Sequence, residues 1–374
     1  MGTDSATFDP DAPLARSITT LDAPLIWPVT HHAKNHSPRP GGVIGADGHF
    51  VDLSHCRYTS AKRWTLPCTP DPDVPVTDMP GTWLYGGVLD PAFGHCIIES
   101  LSRLWVLDHL DTPPDGIVFL PAVHRSFYQR PKRYLAATQA VFDAFPGLPT
   151  RRACPTQPAR PERLILGAQG MGGGDFSPGA PEFRAFIKRH FLPDVAPAGS
   201  ENLYVSRARL SVMGNLMFED RIEALFAANG YEIFHPEAHS LTEQVARYRA
   251  ARRIVTVEGS ALHVIAYALA PDQPVEIGII PRRTTGNTAS FVAQLHWQSA
   301  ARVHVIDTLT RLYHPGRIYG EQSNVRALHD LRRMANELAA LGLIENATPI
   351  TNPTEDEIAT AHAALPKQMV RMEL

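Results

Sequence analysis

The sequence predicts an α/β protein of two domains, and three observations carry that reading. Short apolar strands alternate with helical stretches roughly every 20 to 30 residues, the pattern of parallel sheets joined by crossover helices. The texture changes at Gly81, where a proline- and aspartate-rich leader gives way to the first regular strand. A second change, LPDVAPAGSEN at residues 192–202, has the composition of an interdomain connection. The length, 374 residues, suits two domains of ordinary size.

In chain order, residues 1–40 read as a poorly ordered segment and 41–195 as the first domain. TWLYGGVL reads as a buried strand, and FGHCIIESLSRLWVLDHL as the helix that follows it. GIVFLP is a second strand. SFYQRPKRYLAATQAVFDAF is a helical stretch bent or broken near Pro131, and RLILGA is a third strand. The second domain, 196–345, alternates regularly. NLYVSR, YEIFHP, RIVTVE and PVEIGII are strands, and FEDRIEALFAAN, the stretch from Ser240 to Arg252 and SALHVIAYALA are helices. Ser240 and Glu243 have capping-box spacing. A later strand, RVHVIDTL, precedes a long amphipathic helix, SNVRALHDLRRMANELAALG, and 346–374 form an extension. In a parallel sheet ligands bind beyond the carboxyl ends of the strands, so the sites are expected on strand-to-helix loops.

Composition narrows the function. Apolar residues make up 44% and charged residues 20%, which excludes a disordered or fibrous chain. The net charge of -3, with no basic block, gives nucleic acid no electrostatic footprint. The opening MGTDSATFDPDAPLARS lacks a basic n-region and an apolar h-region, so the chain reads as cytoplasmic. No apolar run is long enough to span a bilayer, which leaves peripheral contact with a membrane or with polysaccharide-assembly proteins. Cys56, Cys68, Cys96 and Cys154 show no metal-ligand spacing and read as free thiols.

Two constellations point to chemistry. In LYGGVLDPAFGHCIIES, Asp90, His95 and Glu99 surround one strand-to-helix loop. His95 and Glu99 are four apart, so they share a helix face, and a carboxylate there can orient an imidazole as a general base. A buried His–Glu bond that only holds the helix is the competing reading. In the second domain, Arg207, with Arg209 and the Gly214–Asn215 turn behind it, sits just past strand NLYVSR, where a guanidinium can grip phosphate beside a helix N-terminus. Glu258, Gly259 and Ser260 end another strand and open an apolar helix. Gly259 permits close backbone approach, and Ser260 can cap the helix or donate to a pyrophosphate. His263, one turn further, reads as either a ligand contact or a core histidine.

Other signals carry less. Asp9-Pro10-Asp11 and Asp71-Pro72-Asp73 spell DxD but sit among prolines rather than after an apolar strand, so no metal is expected there. His31, His32 and His36 lack a scaffold for a metal. The glycines from Gly170 to Gly174 do not spell a dinucleotide fingerprint, and one reading of them is a mobile active-site loop.

The segments FGHCIIESLSRLW, LYVSR, GYEIFHPEAHSLTEQVARYRAARRIVTVEGSALHVIAYAL and PVEIG resemble glycosyltransferase family 61 over roughly residues 81–280. The resemblance implies a GT-B architecture, two Rossmann-like domains facing a cleft, the first on the acceptor side and the second binding a nucleotide sugar, with UDP-sugar the expected donor. It implies inverting transfer to a glycan or polysaccharide acceptor, with no obligatory metal and no cofactor beyond the donor. By position, His95 and Glu99 match the family's histidine and following acidic residue, Arg207 its SR element, Glu243 and Gln244 its EQ pair, and Gly259 the glycine of its later motif. The chain departs from the family at Ser211–Met213, where an arginine is usual before the asparagine matched by Asn215. It departs again at Glu258, in the place of a histidine, and at Val264, in the place of an asparagine. The assignment that results gives catalysis to His95, Glu99 and Asp90. Donor binding goes to Arg207, Arg209, Asn215, Glu243, Gln244, Glu258, Gly259, Ser260 and His263. A catalytically silent nucleotide-sugar or glycan-binding protein and a UDP-sugar epimerase are the alternatives.

Overall fold

The computed structural model describes residues 8–29, 38–122, 131–210, 214–284, 286–315, 324–348, 350–365 and 369–372. His31, His32, His36 and Ser211–Met213 lie outside them, as do the starts of the helical stretches read from residues 126 and 323. The described chain is mixed α/β and divides into two compact units, Met1–Pro193 and Asp194–Leu374.

The first unit is built on a mixed sheet. Its longest strand, Thr77–Leu89, lies parallel to both Ala159–Leu166 and Gly116–Pro121, and Arg152–Ala153 continues the parallel set. Three antiparallel strands complete it: Thr19–Asp22, Leu25–Trp27 and Gly42–Ile44. Two of these come from the stretch read as poorly ordered. Ile26 is fully buried in the core beside Val43, Tyr85 and Leu164, and that burial offsets the cost of ordering the segment.

The single helix expected over FGHCIIESLSRLWVLDHL is replaced by three short pieces. Phe93–His95 is one α-helical turn, Cys96–Ser100 a π-helical turn and Leu104–His109 a 3-10 stretch. The cause is burial on every side. Ile97, Ile98, Leu101, Leu104 and Trp105 are all buried, and polar groups between them must be satisfied locally. The Ser102 N–H and hydroxyl both donate to Glu99 O, and Ser100 Oγ accepts from the Asp90 N–H, which breaks the i to i−4 ladder. Of the next helical stretch, Pro131–Asp143 is described and is α-helical.

The run Gly170–Gly174 is packed against Tyr58 and Thr59 rather than free. A Cβ on Gly173 would stand 2.7 Å from the Tyr58 ring, one on Gly174 2.7 Å from Thr59 Cγ2, and the Gly173 N–H donates to Tyr58 O at 2.7 Å.

The second unit carries a five-stranded sheet, all parallel. Its spatial order is Glu232–Phe234, Asn202–Val205, Arg253–Val257, Glu276–Ile280, Arg302–Val305. Numbered along the chain within this sheet, the order runs 2-1-3-4-5, with a topological switch between the first and third strands. The capping box at Ser240 and Glu243 is formed. The long helix expected from residue 323 is instead a strand, Arg326–His329, followed by a helix, Leu331–Ala340. Arg326–His329 pairs with Leu309–Pro315 in a second sheet, burying Ala327 and Leu328, and Asp330 stops it by capping the helix through the Arg333 N–H. Met334 and Leu338 of that helix pack with Tyr204, Val255 and Ile280. No helix among the described residues is long and apolar enough to cross a membrane.

Candidate active site

The switch in the second unit puts two loops side by side at the carboxyl ends of adjacent parallel strands. One opens with Ser206 and Arg207, the other with Glu258 and Gly259. The buried Glu219 carboxylate pins the first by accepting from the Tyr204 hydroxyl and the Arg207 N–H, the latter at 2.7 Å, with Ser206 Oγ 3.1 Å away. The Arg207 guanidinium donates to Gly214 O through Nε and Nη2 at 3.2 and 3.1 Å. Its Nη1 lies 2.5 Å from where a Cβ on Gly259 would stand.

Three further arginines gather here. Arg282 and Arg283 follow the strand Glu276–Ile280 after one proline. Arg282, only 4% exposed, donates from Nε to Glu258 O at 2.9 Å, and Arg283 Nε pairs with Glu258 Oε1 at 2.5 Å. Thr288 donates to the other Glu258 oxygen at 3.1 Å. Arg326 is in register with Asn215 and adds its charge to the field at Arg282. Burial first, then the like charges of Arg283, Arg207 and Arg326, push Arg282 down to about 9, with Glu258 opposing them. Burial also lowers Arg207. Four crowded guanidiniums disfavour one another, and an anion laid among them removes that cost. Ser260 begins the helix Ala261–Ala268 without a side-chain cap bond, so its hydroxyl does not take the capping role expected of it.

The remaining donor-side residues have other partners. Glu243 closes the capping box, Gln244 donates to Pro236 O and His239 O, and Asn215 donates to Leu210 O. His263 is buried, its Nδ1 2.5 Å from Gln294 Oε1 and its ring against Phe291. Arg209 is exposed. Arg282 and Arg283, like Arg207, stand just past a parallel strand, which is the one signal the sequence carries for them. Arg326 gave no signal because its strand reads as helix.

In the first unit, Asp90 follows the strand Thr77–Leu89, with Oδ1 accepting from the Ala92 N–H at 2.8 Å. The π-helical turn sets His95 Nδ1 2.9 Å from Glu99 Oε2, the carboxylate buried and the imidazole 39% exposed. Burial opposes a charge on His95, but Glu99, its hydrogen bond and Asp90 outweigh it, and the imidazole is raised to about 9. Burial raises Glu99. The ligand atoms of Asp90, His95 and Glu99 lie within 4.8 Å of one another, so the same three residues could hold a divalent cation. Tyr58 and Trp64 place their rings 6.1 Å from His95, and Trp64 helps keep Glu99 ionised. Both come from the leader segment, where nothing in the sequence marked them.

The family model for Glycosyltransferase 61 matches residues 93–274. The match supports assignment of this segment to glycosyltransferase family 61. The family 61 segment takes in His95, Glu99, Arg207, Gly259 and Ser260, while Asp90, Arg282, Arg283 and Arg326 fall outside it. No curated protein matches the chain.

Proposed function

We propose that the protein is an inverting glycosyltransferase of the GT-B plan that moves a sugar from a nucleoside diphosphate donor, UDP-sugar first, to a glycan or polysaccharide acceptor without an obligatory metal. The observation that carries this reading is the cluster of Arg207, Arg282 and Arg283 around Glu258, with Arg326 acting on Arg282, beside the switch of the parallel sheet. Inverting transfer is an in-line displacement. The acceptor oxygen forms a bond to the anomeric carbon as the bond from that carbon to the donor phosphate oxygen breaks. The acceptor proton passes to His95, oriented by Glu99, with Asp90 as the alternative base, and the electron pair leaves on the diphosphate. The arginines and the amides at the start of Ala261–Ala268 stabilise that growing charge.

The close grouping of Asp90, His95 and Glu99 favours one second reading, in which a divalent cation sits on the base cluster. A panel of nucleotide sugars, scored by acceptor-dependent release of nucleoside diphosphate with and without chelator, decides. Release that persists in chelator is expected. Release abolished by chelator favours the cation, and binding without release reduces the protein to a nucleotide-sugar binder.

A further inference from the structure

The carboxyl end of the strand Glu232–Phe234 adjoins the Arg207 loop. The Ser206 N–H donates to Phe234 O at 2.9 Å, so the two loops start from neighbouring positions. From Ser206 a line of polar groups runs across that strand end. The Ser206 hydroxyl donates to Glu223 Oε1 at 2.6 Å, and that oxygen lies 3.5 Å from His235 Nε2. His235 Nδ1 faces Glu237 Oε1 at 3.9 Å, too far for a hydrogen bond. The histidine side chain is 10% exposed and its Nδ1 is a buried nitrogen with no hydrogen-bond partner, whereas the Glu237 side chain is 30% exposed. The turn is rigid. Pro236–Ala238 is a 3-10 turn, and Gln244 holds the carbonyls of Pro236 and His239.

An unsatisfied buried imidazole nitrogen behind a half-open carboxylate is costly unless something completes the pair. Adjacent strands lie about 4.8 Å apart, close to the step from a nucleoside diphosphate's phosphates to its ribose. Glu237 is among the charges that act on Arg207, so a diphosphate gripped by Arg207 has that carboxylate within reach of its ribose. A carboxylate accepts from two vicinal hydroxyls at once, and at the end of the second strand of an open α/β sheet an acidic residue is well placed to do so.

We propose that the turn His235–Glu237 is the ribose subsite of the donor, Glu237 accepting from the 2′- and 3′-hydroxyls and His235 acting as the positioning residue, its Nδ1 closing from 3.9 Å onto the carboxylate when the ribose is bound. The subsite rests on the nucleoside diphosphate reading above and selects ribonucleotides over deoxyribonucleotides.

The test is calorimetric titration of the full chain with inorganic pyrophosphate, UDP and 2′-deoxy-UDP. The intact protein should bind UDP about tenfold more tightly than 2′-deoxy-UDP. Glu237→Ala should abolish that preference while holding pyrophosphate within about twofold. His235→Ala should erode the preference, and His235→Asn, which keeps an N–H near the Nδ1 position, should restore it. Arg207→Ala should weaken all three ligands together. Equal binding of UDP and 2′-deoxy-UDP by the intact protein, or equal loss of all three ligands in Glu237→Ala, overturns the subsite. Failure of the intact protein to bind pyrophosphate or UDP at all overturns the nucleoside diphosphate reading instead.

Discussion

The Nη1 of Arg207 takes up the space a side chain on Gly259 would need, 2.5 Å from the would-be Cβ. The crowding is with the far end of a long side chain, so Gly259→Ala should push the guanidinium aside rather than unfold the sheet. Expected is a loss of pyrophosphate affinity approaching that of Arg207→Ala, about 2 to 3 kcal/mol or on the order of a hundredfold, with little change in melting temperature. Because both substitutions act through one guanidinium, the double variant should bind no more weakly than Arg207→Ala alone. Additive losses in titration calorimetry would separate the two residues.

His95 carries the acid limb of the reaction. Raised to about 9 by Glu99 and Asp90 against the opposing effect of burial, the imidazole is largely protonated at neutral pH and becomes a free base only as pH rises towards that value. Acceptor-dependent kcat/KM should therefore climb through neutral pH, pass half its plateau near pH 9 and level off only above it. Removing the carboxylate in Glu99→Gln leaves burial unopposed by that charge, so the limb should move to lower pH while the plateau falls. A profile that is flat from pH 6 to 9 points to Asp90 as the base.

What the sequence made legible follows from where its signals are local. The alternation in the second unit, the Ser240 cap, and the placing of Arg207 and Gly259 past strand ends depend on period, capping chemistry and loop position. The structure shows each of these. The π-helical turn at Cys96–Ser100 was not legible, because serine hydroxyls and a buried carboxylate override the 3.6 period. Nor was the strand Arg326–His329, whose apolar residues fit a helix until cross-strand pairing decides. Tyr58 and Trp64 reach His95 only through tertiary packing. Arg282 and Arg283 were legible by position alone.

The glycine run beside Tyr58 makes its own prediction. A methyl group on Gly173 would stand 2.7 Å from the Tyr58 ring, whose other neighbours include Trp64, so the ring has little room to yield. Gly173→Ala should destabilise the first unit by about 1 to 3 kcal/mol through overpacking. In a Tyr58→Ala background the same substitution should cost almost nothing. Urea unfolding of the four proteins reads the coupling directly. An undiminished cost in the Tyr58→Ala background would locate the strain elsewhere.

His329 ties the second unit's stability to pH. Its Nε2 donates to Pro281 O at 2.7 Å and its Nδ1 bonds with the Thr308 hydroxyl at 3.1 Å, which needs the neutral ring. Burial lowers it to about 4, against an ordinary value of 6.5. Above pH 6.5 both folded and unfolded chains hold it neutral and it adds no pH dependence. Between pH 6.5 and 4 the unfolded chain takes up the proton and the folded chain does not, so stability falls with pH, by about 3 kcal/mol in all. The same bonds hold Pro281 in place just ahead of Arg282, so the fall should be felt first at the arginine cluster. His329→Gln should flatten this dependence, at the cost of lower stability at pH 7. Hydrogen exchange of the strand Glu276–Ile280 at pH 7 and pH 4.5 measures it, and an equal acid-induced loss of protection in the intact protein and the variant would show that another group is responsible.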